Sequence, residues 1–195
     1  MTLSAQDNIT VLAALLSRRK FAQRAARQHE SFNQGRISIL STHVEPEIDS
    51  PAEVQNTQPL SLAGLVAALN AQPERPRLEQ IYEWLEKAEI SREELGPYLG
   101  FKEGNYWRHR VCRNEFAEML VFCWRPGHKT PIHDHNGSHG VVRVYDGVMW
   151  ETTFVFDDQK GLCYKSGRER AQGEVTGSDV PDIHQLGNQE VSGQD

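Results

Sequence analysis

His133 and His135 stand two residues apart in Gly127-His128-Lys129-Thr130-Pro131-Ile132-His133-Asp134-His135, a spacing that offers a pair of metal-binding nitrogens. Along a strand, side chains two apart leave by the same face, so both imidazoles would share one space while Asp134 faces away. Neutral imidazole suits iron, zinc, copper and nickel, and the pair alone leaves the choice open. An isolated His-x-His is as often a surface or hydrogen-bonded pair. Here glycines frame it: Gly127 precedes His133 by six residues and Gly147 follows His135 by twelve, each placed to turn the chain at a strand end.

This pattern resembles the first motif of the cupin superfamily, with one departure: Gly140 stands where most cupins carry a glutamate ligand. The segment from Gly173 to His184-Gln185-Leu186-Gly187-Asn188 resembles the second cupin motif in its His-(three residues)-Asn ending, with Asp179 and Pro181 where proline and glycine are usual. The resemblance implies His133, His135 and His184 as ligands of Fe(II). Three neutral imidazoles would leave the ion its full charge and about three open positions, where an anionic thiolate can bind.

The run from Cys123-Trp124-Arg125-Pro126 to Ser138-His139-Gly140 is similar to the thiol dioxygenases, the cysteine dioxygenases in particular, and a weaker likeness extends from about Leu60 to Asn188. In that family a Tyr-x-Arg element before the barrel supplies an arginine for the substrate carboxylate, and Tyr106 and Arg108 stand there. Arginine suits the task because its planar fork pairs bidentately with a carboxylate and stays protonated. Arg110 and Arg113 lie in the same basic run; Arg108 is preferred over both. A glutamine commonly takes this place in the mercaptopropionate dioxygenases, so arginine favours an amino-acid thiol.

The resemblance thus implies an Fe(II) enzyme that oxidises L-cysteine with O2 to cysteine sulfinic acid, with Tyr106 beside the substrate. The alternatives are a dioxygenase of 3-mercaptopropionate or another small thiol, a catalytically impaired metal-binding cupin, and a structural barrel with unliganded histidines. His139 is expected outside the ligand set, and Asp134 is expected to orient an imidazole rather than to react. Many animal members carry a cysteine at the position of Gly140 that cross-links to a tyrosine; this chain has no such cysteine.

The elements that must position these residues follow from periodicity. Helical spacing of Leu12, Leu15 and Leu16 among arginines predicts an amphipathic helix over 9–30, and residues 41–59 have the composition of a linker. Leu62, Leu65, Val66 and Leu69, then Leu78, Ile81, Leu85 and Ala88, predict helices over 60–71 and 77–90. Ser91, with Glu94 three residues on, predicts a capped short helix. From Tyr106 onward β-branched and aromatic stretches around Cys112 and over 116–124, 140–145, 148–156 and 162–165 predict strands, with Asp146-Gly147 as a hairpin turn. The expected fold is mainly β, a small antiparallel jelly-roll-like cupin barrel preceded by N-terminal helices, with 1–59 as an extension and 60–195 as the catalytic domain.

At 195 residues and 38% apolar content the chain can bury one core, and it has no apolar run long enough to cross a bilayer. Net charge is −6, with no sustained basic face for nucleic acid. The N-terminal forty residues are an exception, holding six Lys/Arg against Asp7 and Glu30. That arginine-rich stretch has the look of a mitochondrial targeting peptide, but Asp7 and the family pattern favour the cytoplasm. Cys112, Cys123 and Cys163 are odd in number and unpaired in spacing, which points to a reducing interior where iron stays ferrous. The expected partners are the small thiol and O2, and the expected state is a monomer. In the family a further strand with a Ser-x-His-x-Tyr element follows the third histidine; here the sequence closes at Asp195 without one, so a missing barrel wall and weakened activity are expected.

Overall fold

The computed structural model describes residues 8–15, 59–135, 138–178 and 183–189. The expectations for a helix beyond residue 15, a linker over 41–58, a targeting segment and a C-terminal tail lie outside the described residues.

Ser61 accepts a hydrogen bond from the Gly64 amide at 3.1 Å and so starts helix α1, Leu62–Asn70, whose Leu62, Leu65 and Leu69 are buried. Helix α2, Leu78–Glu86, buries Ile81 and Leu85. The expected capping box forms at Ser91 and Glu94 and opens α3, Arg92–Leu95. These side chains pack with Ala117, Met119, Val121, Cys123 and Val141 into one core on the outer face of a sheet. Each fully buried Leu or Ile contributes about 1.5–3 kcal/mol.

The strands are β1 (Asn8–Leu15), β2 (Trp107–Arg113), β3 (Ala117–Trp124), β4 (His139–Asp146), β5 (Met149–Asp157), β6 (Gly161–Arg170), β7 (Val175–Ser178) and β8 (Ile183–Gly187). They form a five-stranded sheet, β2-β3-β1-β4-β7, and a three-stranded sheet, β6-β5-β8, and every strand pair is antiparallel. β3 reads as a near-continuous apolar run because both its faces are covered. Alternation sends Met119, Val121 and Cys123 to the helices and Leu120, Phe122 and Trp124 to a second core with Val142, Val144, Met149 and Leu186, which joins the two sheets. The fold is thus the expected mainly β, cupin-like one, with helices packed outside.

Two local expectations are corrected. Asn8–Leu15 is a strand where leucine spacing predicts the start of a helix; it pairs with β3 over its whole length and with β4 from Ile9 to Leu15. The β-branched Ile9, Thr10 and Val11 suit that slot, and pairing on both sides outweighs intrinsic helical preference. Within the described residues β3 and β4 therefore have no open edge between them. The second correction is at the histidine pair. Residues 131–135 form no strand; His133 makes an isolated antiparallel bridge with His184.

Candidate metal centre

The chain leading to the histidine pair is stitched to β8. The Gly127 amide donates to the Asn188 carbonyl at 2.8 Å, the Asn188 amide to His128 at 2.9 Å, and the Thr130 amide to Leu186 at 2.8 Å. His133 and His184 exchange both backbone hydrogen bonds, at 3.0 and 2.9 Å. Gly127, at φ +83°, makes the turn that starts this run, as its place in the sequence predicts. Gly187 lets β8 come close: a Cβ there would lie 2.7 Å from the His128 carbonyl oxygen. Asn188 closes the run by donating from Nδ2 to the Trp124 carbonyl at 3.3 Å, which ties the second motif to the end of β3.

This lacing brings His133, His135 and His184 together, each offering one ligand nitrogen, all within 4.8 Å of one another. His184 is buried, His135 half-buried and His133 the most exposed. The Nε2 atoms of His135 and His184 are 2.9 Å apart. Two nitrogens each about 2.1 Å from a shared ion at a right angle would be about 3 Å apart, so the His135–His184 pair has the separation that a shared first-row metal ion requires. His133 Nδ1 lies 2.9 Å from the Pro131 carbonyl, to which its N–H donates, leaving Nε2 for an ion. The histidines open on a cavity of about 50 Å³ walled by Phe122, Trp124, Val142 and Leu186, room for an ion and one or two small ligands. Gly140 also lines it and contributes no carboxylate.

The carboxylate of this site is one that the sequence does not mark. Glu151 of β5 is buried, and its Oε1 lies 3.5 Å from His184 Nδ1. Arg170 donates from Nε and Nη2 to Oε2, and Thr176 Oγ1 donates to the same oxygen at 3.3 Å. Burial alone would push the Glu151 carboxyl up, but hydrogen bonds from His184 and Arg170 and the charge of Arg170 outweigh it and hold the pKa at about 2. The carboxylate that meets a histidine ring is thus Glu151, whereas Asp134, expected to orient an imidazole, is exposed. Only strand register, which sets Glu151 opposite Leu186 two residues from His184, reveals this pairing.

Of the remaining expected residues, Tyr106 stacks on Trp124 with ring centroids 4.7 Å apart and tilts against Phe122 at 5.7 Å, so it backs the aromatic wall of the cavity. Arg108 pairs in register with Phe122, which puts it on the sheet face that carries the site. Its guanidinium, however, rests on Glu118 at 3.0 Å, and it is not among the cavity-lining residues. Arg113 reaches the same carboxylate at 3.9 Å, while Arg110 is exposed. His139 lies outside the histidine group.

The family model for cysteine dioxygenase type I matches residues 53–193. Cysteine dioxygenase type 1 of Bos taurus is 30% identical over 106 residues, 53% of either chain. The human protein of that name is 29% identical over the same length, and that of Danio rerio 26%. The chain spans about half the length of the curated relatives it matches.

Proposed function

Because the chain belongs to the cysteine dioxygenase type I family, we propose that it is an Fe(II)-dependent thiol dioxygenase that takes L-cysteine and O2 to cysteine sulfinic acid. The observation that carries this reading is the donor set: three imidazoles within 4.8 Å, with glycine at the position where a fourth, anionic ligand would otherwise compete with a thiolate.

In this reading His133, His135 and His184 hold the ion, and bound Fe(II) supplies the redox chemistry by which both atoms of O2 pass to the thiolate sulfur. The protein contributes orientation and charge. His133 and His184 keep their Nδ1 protons on Pro131 and Glu151, so their Nε2 atoms stay available. Phe122 and Trp124, backed by Tyr106, keep the inner wall dry, which strengthens every charge interaction inside. Arg108 is the carboxylate clamp. It lies on the correct sheet face, and half of its side chain is exposed, so the exchange of Glu118 for a substrate carboxylate costs little.

The test is turnover after anaerobic Fe(II) loading, with L-cysteine and 3-mercaptopropionate compared under O2. Sulfinate formed from cysteine with the higher kcat/KM supports the reading. A preference for the deaminated thiol moves the substrate assignment, and iron bound without product reduces the chain to a metal-binding cupin.

A further inference from the structure

We propose that Glu151 is a positioning residue of the metal centre, acting through His184 and itself held in place by Arg170 and Thr176. This rests on the reading of the three histidines as metal ligands.

Glu151, Thr176 and His184 are all buried, beside the apolar Val142 and Leu186. A carboxylate there is expensive unless its oxygens are satisfied, and a buried ion pair is by itself a weak source of stability. The arrangement divides the two oxygens by task. Oε2 takes both Arg170 contacts and the Thr176 hydroxyl; Oε1 is turned to His184 Nδ1. Because three donors fix Oε2, the carboxylate cannot swing, and Oε1 becomes a fixed acceptor that demands a proton on Nδ1. That choice leaves the lone pair of His184 on Nε2, the atom that faces His135 at 2.9 Å. The Nε2 proton between those two rings then belongs to His135, and an entering metal ion displaces it.

In place of a carboxylate ligand at Gly140 the chain has a carboxylate one imidazole ring farther out, which orients a ligand without occupying a coordination position. Glu151 needs no contact with substrate to do this. Its effect passes through the tautomer and direction of one ring.

Glu151→Gln tests this because an amide is of similar shape but opposite polarity on one side. Arg170 requires an acceptor, so the amide oxygen takes the Oε2 place and the NH2 group faces His184. The ring must then accept at Nδ1 and carry its proton on Nε2. Nitrogen-15 NMR of the metal-free full-length protein reads the tautomer directly: wild-type His184 should be protonated at Nδ1, and the variant at Nε2. Anaerobic Fe(II) titration should show affinity about 10–100-fold weaker in the variant. Arg170→Lys, which keeps the charge but loses the fork, should weaken Fe(II) binding by a smaller factor.

An Nε2-protonated His184 in the wild type overturns the proposal whether or not any variant folds. Unchanged Fe(II) affinity in a folded Glu151→Gln does so too, while leaving the histidine ligands standing. Wild-type protein that binds no Fe(II), yet shows the Nδ1 tautomer, overturns the metal reading instead.

Discussion

The guanidinium of Arg108 rests on the carboxylate of Glu118, Nη2 to Oε1 at 3.0 Å, across the β2–β3 pair. An arginine assigned to a substrate carboxylate therefore already holds one supplied by the protein, and substrate must compete for it. Two substitutions should then move the Michaelis constant in opposite directions. Arg108→Gln should raise KM for cysteine about 10- to 100-fold, the value of a charge-assisted bidentate contact. Glu118→Gln should lower it about 2- to 5-fold, since an ion pair whose arginine is half-exposed is worth about 1 kcal/mol. Steady-state kinetics on both variants checks this, and a rise in KM for both would mean that Glu118 positions Arg108 rather than competing for it.

Gly187 lets β8 lie close against the chain that leads to the histidine pair. An added methyl would meet backbone atoms, the His128 carbonyl at 2.7 Å and Lys129 Cα at 3.2 Å, which cannot rotate away. Gly187→Ala should therefore destabilise the protein by about 1–3 kcal/mol and weaken Fe(II) binding with it. Thermal melts with and without iron measure both effects; loss of stability with unchanged affinity would show that the stitching does not set the histidine positions.

The Glu151 carboxyl predicts a pH dependence. Its folded pKa is about 2 against an ordinary 4.5, so the stabilisation it contributes is full above pH 4.5 and is lost as pH falls towards 2. For metal-free protein, the stability gap between wild type and Glu151→Gln should be on the order of 3 kcal/mol at pH 5.5 and should close over that window. Urea melts at a series of pH values give the gap; a gap that does not vary with pH would mean that the carboxyl is not held ionised by its partners.

β1 joins the two strands whose Phe122, Trp124, Gly140 and Val142 line the cavity. Deleting residues 1–15 should open the inner edges of β3 and β4, leave backbone groups unpaired, and give a protein that associates and loses its iron. Size-exclusion chromatography with metal analysis decides it, and a well-behaved deletion variant with wild-type iron content would remove β1 from the account.

The histidine centre was legible in the sequence because ligand type and spacing are local properties: His133 and His135 are neighbours, and His184 sits in a recognisable run. Strands β3 to β6 are legible for a similar reason, since alternation and the Asp146-Gly147 turn are written along the chain, Gly147 taking φ +80°, whereas β7 and β8 carry no such local signal. Glu151 was not legible, because its link to His184 runs between strands 33 residues apart and depends on register. Nor was Glu118, which meets Arg108 only through a hairpin with a register shift between Arg110 and Cys112. Asn8–Leu15 carries a misleading local signal, because Leu12 and Leu15 satisfy helical spacing while the partners that make the segment a strand lie more than a hundred residues away.

The most direct test of the whole account is anaerobic Fe(II) loading of the wild type and of His133→Ala, His135→Ala and His184→Ala, followed by L-cysteine and 18O2. The wild type should bind one equivalent of iron and give cysteine sulfinic acid with both sulfinate oxygens labelled, and each alanine variant should lose stoichiometric iron and product together. Wild-type iron retained by His184→Ala, or sulfinate carrying fewer than two labelled oxygens, would contradict it.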